Sequence, residues 1–245
     1  MADSQVRLLH LYDALADFKA DFRDRNLVKM VSKYVVGPRV LDVGAGVGFL
    51  VSSLRRAGFE AFGIEPDNNL INLGRKHFGE LAIIQGTGTD IGRKGFKDMD
   101  TIVTIDVLEH IENDSAVLVE IRRTLHPGGR LIVVVPALPW LYGKRDVNLG
   151  HYRRYSREEL ERKLRESGFT VEKSRYWNFA GVLPYLWYER VLRKELQTTL
   201  RYRSPHMLKR TLSRVLDMWF AVVENNINFC VGLSLLCVAQ KNDTI

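Results

Sequence analysis

The run Asp42-Val43-Gly44-Ala45-Gly46-Val47-Gly48 constrains this chain more than any other stretch. It closes a short apolar segment, Arg39-Val40-Leu41-Asp42-Val43, and opens one whose apolar residues Leu50, Leu54 and Ala57 recur at the spacing of a helix face. Glycines between a strand and a helix let a ligand approach the backbone closely. Glu65 ends the next strand-like segment, 21 residues after Gly44, near the ~20 expected of a carboxylate that accepts hydrogen bonds from a ribose diol. Turn and acid together point to an adenosine site. The spacing is not that of G-x-G-x-x-G, because the third glycine follows the second by two positions and residue 49 is Phe. No pyrophosphate is implied.

The rest of the chain alternates in the manner of a parallel α/β sheet. Strands are expected at 39–43, 61–64, 81–84, 101–105, 131–135, 169–174 and 233–239. His126-Pro127-Gly128-Gly129 reads as a turn, and Ser156-Arg157-Glu158-Glu159 as a capping box opening a helix that ends at Gly168. Between the last two strands, Leu208, Leu212, Val215, Trp219 and Val222 keep helical spacing. Residues 176–231 therefore read as a helical insertion, substrate-facing or lid-like. The expected organisation is a single domain: a helical lid over 1–36, a cofactor-binding core over 37–175, the insertion, and a last strand over 232–241. Of the residues, 46% are hydrophobic and 27% charged, a balance that excludes a disordered, collagen-like or coiled-coil chain. Cys230 and Cys237 form no disulfide framework or metal-type spacing, and read as buried small hydrophobes.

D-x-G-x-G-x-G with an acid after the second strand resembles the class I S-adenosylmethionine-dependent methyltransferases. Two further segments carry the resemblance: Asp106-Val107-Leu108-Glu109-His110-Ile111 after strand four, and Leu125-His126-Pro127-Gly128-Gly129-Arg130-Leu131 before strand five. Pro136-Ala137, Asp146 and Gly150-His151-Tyr152-Arg153-Arg154-Tyr155-Ser156 are similar to a bacterial subgroup of its small-molecule branch. The resemblance covers residues 21–175 closely and 233–241 by pattern. It implies a Rossmann-like seven-stranded sheet, mostly parallel with an antiparallel last strand, and helices on both faces. It also implies S-adenosylmethionine as methyl donor and S-adenosylhomocysteine as product.

The resemblance assigns roles residue by residue. Asp42, Gly44, Ala45, Gly46 and Gly48 border the methionine side of the cofactor, Glu65 and Pro66 the ribose, Asp90 and Ile91 the adenine, and Asp106 and Val107 the methionine part again. Arg25, in Phe22-Arg23-Asp24-Arg25, is expected to pair with the cofactor carboxylate, with Tyr12 in the same lid. Methyl transfer needs in-line positioning above all, and a base only where the acceptor must lose a proton. Candidate bases are Glu109, His110 and His151; a structural role fits each histidine as well. Arg153 and Arg154 are adjacent and cannot point the same way, so one of them is a candidate to grip a carboxylate or phosphate on the acceptor and the other is structural. Tyr176, Trp177 and Tyr185 are candidates to line an apolar or aromatic pocket. No metal-ligand spacing is visible in the sequence, and no metal is expected.

Net charge is +7, from 36 basic and 29 acidic residues. The excess lies at residues 190–214, where Arg190, Arg193, Lys194, Arg201, Arg203, Lys209, Arg210 and Arg214 face one acid, Glu195. A solvated face explains this; so does peripheral contact with an acidic membrane. The start has no signal-peptide pattern, and the apolar run 227–239, broken by Asn228, is too short to span a bilayer. A cytoplasmic monomer or homodimer acting on a small acceptor is expected. The alternatives are a nucleic-acid methyltransferase, disfavoured by the absence of an Asn/Asp-Pro-Pro-Tyr motif, and a binding module without turnover.

Overall fold

The computed structural model describes residues 22–188 and 207–242. Tyr12, most of the expected lid and the basic residues from Arg190 to Arg203 lie outside the described residues. Chain order runs α1 Phe22–Ser32, β1 Arg39–Val43, α2 Phe49–Arg56, β2 Glu60–Glu65, α3 Asn68–Phe78, β3 Ile83–Gln85 and β4 Met99–Ile105. It continues with α4 Asp114–Thr124, β5 Leu125–Pro136, α5 Lys144–Leu149, α6 Arg157–Glu166 and β6 Phe169–Trp177, then α7 Val182–Leu186, α8 Met207–Trp219 and β7 Ser234–Lys241.

The seven strands form one sheet in the order β3-β2-β1-β4-β5-β7-β6. Strands β1 to β5 pair in parallel, and β7 inserts antiparallel between β5 and β6. This is the sheet the resemblance implied. Alternation along β5 divides the core between two faces: Leu131, Val133 and Val135 pack on one side, Ile132 and Val134 on the other. Both faces are covered, as a mostly parallel sheet requires. Strand order reverses between β1 and β4, so the crevice at their carboxyl ends is where an open α/β sheet takes its ligand.

Two elements differ from expectation. Strand β6 runs on to Trp177, because Tyr176 and Trp177 pair with Leu235 and Ser234 of β7 rather than opening the insertion. Strand β5 begins at Leu125, which pairs with Met99 ahead of a register shift, so the expected turn at His126–Gly129 falls inside the strand's bounds. Cys237 is buried on β7, whereas Cys230 is exposed.

Helix α8 is tied back to α1 and β6. Asp217 accepts from Arg25 Nη2 at 2.8 Å and from Asn26 Nδ2 at 2.7 Å. Asn225 accepts from the Trp177 indole at 3.0 Å and donates to the Asn26 carbonyl at 3.1 Å. Buried Glu224 accepts from the backbone N–H groups of Phe179 and Ala180 and from the Trp219 indole. These bonds satisfy groups that burial would otherwise leave unpaired, and they fix the segment that leaves β6.

Candidate active site

The glycine turn sits at the carboxyl end of β1, against the segment that leaves β4. Gly44 has φ +79°, and a Cβ there would stand 2.3 Å from Val107 Cγ2. Only glycine meets both the left-handed backbone and that approach. Val107 is thus packed directly on the turn. Among the described residues, nothing lies within 4 Å of where a Gly46 Cβ would stand, which leaves the turn uncovered by them on one side.

Glu65 is buried at the end of β2 and accepts one backbone N–H on each oxygen, from Gly46 at 2.8 Å and from Asp67 at 2.9 Å. Each oxygen keeps a lone pair for one hydroxyl of a diol. Burial raises its pKa above the ordinary glutamate value, against the lowering effect of those two bonds. Asp42, in register with Gly63 of β2 and Val103 of β4, is buried beside it; burial first, and then the charge of Glu65, push its carboxyl up to about 8. The open turn and the ribose-type acid fit an adenosyl cofactor. Pro66 is exposed just beyond Glu65. Asp90 closes the loop after β3 by accepting from the Thr87 hydroxyl and backbone N–H. The Ile91 side chain, by contrast, is fully buried in the core, so a contact between it and the adenine is corrected to core packing.

Asp106 ends β4 with φ +53°. The arginine that reaches it is Arg23, not Arg25: Arg23 Nη2 stands 3.2 Å from Asp106 Oδ2, and its guanidinium lies over the Trp177 ring at 5.7 Å. Arg25 is held by Asp217 instead. Trp177 is fully buried, its indole bonded to Asn225, so it supports Arg23 from below rather than lining an acceptor pocket.

Glu109, His110 and His151 come together next to Asp106. One ligand-type atom from each lies within 4.8 Å of the others, and the two imidazole rings meet edge to face with centroids 4.6 Å apart. Glu109 is fully buried, and neither carboxylate oxygen has a hydrogen-bond partner among the described residues. Burial first, then the charge of Asp106, drive its carboxyl well above the ordinary range. The linear spacing of these residues shows no ligand motif; the fold nonetheless assembles three side chains able to hold a metal.

Asp146 builds the wall behind His151. Its Oδ1 accepts from His151 Nδ1 at 3.0 Å and Arg154 Nε at 2.8 Å, and its Oδ2 from the Gly143 N–H at 3.0 Å. Gly150 ends α5 in the left-handed conformation, φ +77°, which turns the chain so that His151 N–H bonds the Asp146 carbonyl. Burial would raise the Asp146 carboxyl, but the bonds from His151 and Arg154 hold it below its ordinary value. Both arginines of the pair are hydrogen-bonded within the chain. Arg154 is buried and committed to Asp146, the Ala137 carbonyl and the Tyr185 hydroxyl. Arg153 bonds Asp114 and the Glu112 carbonyl. Tyr185 is accordingly a buried partner of Arg154, and Tyr176 carries the Arg157 guanidinium at 4.7 Å. Asp146 and Arg23 are the residues the sequence reading passed over as site residues, although both stood inside segments it singled out.

Residues 8–174 match the family model described as a methyltransferase domain. Ubiquinone biosynthesis O-methyltransferase of Schizosaccharomyces pombe is 28% identical over 138 residues, covering 54% of this chain and 48% of that protein. The Aeromonas salmonicida enzyme of the same name is 30% identical over 150 residues, 54% of this chain and 63% of its own. The chain thus spans about half the length of the curated relatives it matches. A solved S-adenosylmethionine-dependent methyltransferase from Thermotoga maritima superposes with TM-score 0.60 at 19% identity, covering 90% of this chain and 91% of that one. The chain belongs to the S-adenosylmethionine-dependent methyltransferases, on a family match that takes in the glycine turn, Glu65 and the Asp106–His110 segment.

Proposed function

We propose that this chain transfers the methyl group of S-adenosylmethionine to a hydroxyl oxygen of a small apolar or aromatic acceptor. The oxygen forms a bond to the methyl carbon as the sulfonium bond breaks. Sulfur keeps the electron pair, S-adenosylhomocysteine leaves, and the hydroxyl proton departs at the Glu109–His110–His151 cluster. The observation that carries this reading is the packing of Val107, two residues before Glu109, on Gly44 of the glycine turn, which supports a cluster close to the methionine end of the cofactor. The oxygen acceptor is supported by the names of the similar O-methyltransferases. An apolar acceptor is supported by Trp140, Tyr142 and Tyr152, all exposed on the segments after β5.

The test is gain of one methyl, read by mass, on a panel of phenols, catechols and aliphatic alcohols incubated with S-adenosylmethionine. Methylation of phenolic oxygens and its loss in His151→Ala are expected. Methylation confined to amines or to RNA would overturn the oxygen reading.

The same reading takes in a peripheral contact with anionic membrane, supported by exposed Leu183 and Trp187 just ahead of the basic segment. No helix among the described residues is long and apolar enough to cross a membrane. Co-sedimentation with phosphatidylglycerol vesicles that falls with added salt is expected; equal recovery with neutral vesicles would contradict the electrostatic part.

A further inference from the structure

We infer that Glu109, His110 and His151 bind one divalent transition-metal ion, with Asp146 as the outer carboxylate that fixes His151. Three observations converge. First, leaving a buried carboxylate unpaired is costly, and among the described residues neither Glu109 oxygen has a hydrogen-bond partner. The described side chains around it do not pair it: Asp106 and Asp146 add negative charge nearby, Arg23 offsets part of that charge but is engaged with Asp106 and Asp24, and Arg154 is engaged with Asp146. Second, the three ligand atoms lie within 4.8 Å of one another. Ligands about 2.1 Å from a tetrahedral ion stand about 3.4 Å apart, so side-chain adjustments of about an ångström close the set.

Third, both histidines are already held from behind. His151 Nδ1 is bonded to Asp146 Oδ1, which leaves Nε2 as the coordinating atom, and the His110 ring is hydrogen-bonded to the Gly150 backbone. Metal-ligating histidines are commonly oriented by a carboxylate or a backbone carbonyl at the second ring nitrogen. Two imidazoles and one carboxylate suit zinc-class ions rather than magnesium, which favours an all-oxygen set. Three protein ligands leave a coordination position for a further ligand, and His110 is the exposed member of the three. An acceptor oxygen bound there would release its proton more readily. That role rests on the function proposed above; the binding itself does not.

The test uses the full chain after EDTA treatment, titrated with Co2+ and then displaced with Zn2+, with no acceptor or cofactor present. One equivalent of Co2+ is expected to give visible ligand-field bands that Zn2+ abolishes. Glu109→Gln and His151→Ala should each weaken Zn2+ binding more than about tenfold, and Asp146→Asn by about 10–100-fold. His77→Ala and His126→Ala, away from the cluster, should leave it unchanged. Retained S-adenosylhomocysteine binding shows that each variant is folded, and His151→Gln replaces any variant that fails this check. Absence of stoichiometric binding by the wild-type chain would overturn the inference. So would binding that survives in Glu109→Gln and His151→Ala. Either result would leave the methyl-transfer reading standing, with the cluster's own side chains taking the proton.

Discussion

At the scale of single residues, the cofactor cradle is two buried carboxyls side by side. Asp42 titrates about 8 in the folded chain because it is buried and because Glu65 is its neighbour. A free aspartate titrates near 3.9. A folded-state value above the unfolded one means stability that is complete below about pH 4 and is lost as pH rises toward 8. Asp42→Asn removes the titration. Its melting temperature should differ little from wild type at pH 4, then exceed it by a widening margin, about 3 °C or more by pH 8. A thermal series across pH checks this; a constant margin would contradict the buried-carboxyl account. Asp42 and Glu65 were legible in the sequence because both belong to a local motif whose register a strand and a turn fix. Asp146 was not legible as a site residue. Its meaning depends on His151 and Arg154 being folded back onto it, and no spacing along the chain encodes that.

At the scale of elements, α1 shows how helical phase divides two neighbouring arginines. The resemblance placed an aromatic-plus-arginine segment over the cofactor, and α1 reaches Asp106 through Arg23. Residues two apart on a helix point about 200° from one another, so Arg23 and Arg25 face different partners. Arg23 meets Asp106 and Trp177, whereas Arg25 meets Asp217 of α8. Helical phase is set by the packing of Phe22, Leu27 and Met30 into the core, which the sequence shows only as scattered apolar residues. Arg23→Ala should weaken S-adenosylhomocysteine binding about tenfold. Arg25→Ala should leave that affinity within about twofold, since its loss falls on the α1–α8 contact, and should speed hydrogen exchange in residues 22–32 and 207–219. Calorimetry and exchange on the two variants check the division; an exchange of the two phenotypes would return the role to Arg25. Strand β6 carries the same lesson. Trp177 looked like the start of an aromatic acceptor pocket, but pairing with β7 continues through it and seals it inside.

At the scale of the whole molecule, strain gathers where the chemistry is. Of the four non-glycine residues with positive φ among the described residues, Asp106, Leu138 and Asn178 directly follow or closely follow β4, β5 and β6. All three stand at the carboxyl edge of the sheet. Backbone held in such conformations is stabilised by its surroundings and tends to mark functional positions. The parallel α/β sheet and the position of the glycine turn followed from alternating segments and one motif, whereas the antiparallel β7 was implied by the family resemblance. The acceptor side followed from neither, because it is assembled from segments after β4 and β5 and from an insertion whose contacts are long-range. The most direct measurement is calorimetric titration of the purified chain with S-adenosylhomocysteine, alongside Glu65→Ala. One equivalent bound by wild type, with affinity reduced about 100-fold in the variant as two hydroxyl-to-carboxylate bonds are lost, is the predicted result. Unchanged affinity in Glu65→Ala, or no binding by wild type, would contradict the site described at this edge.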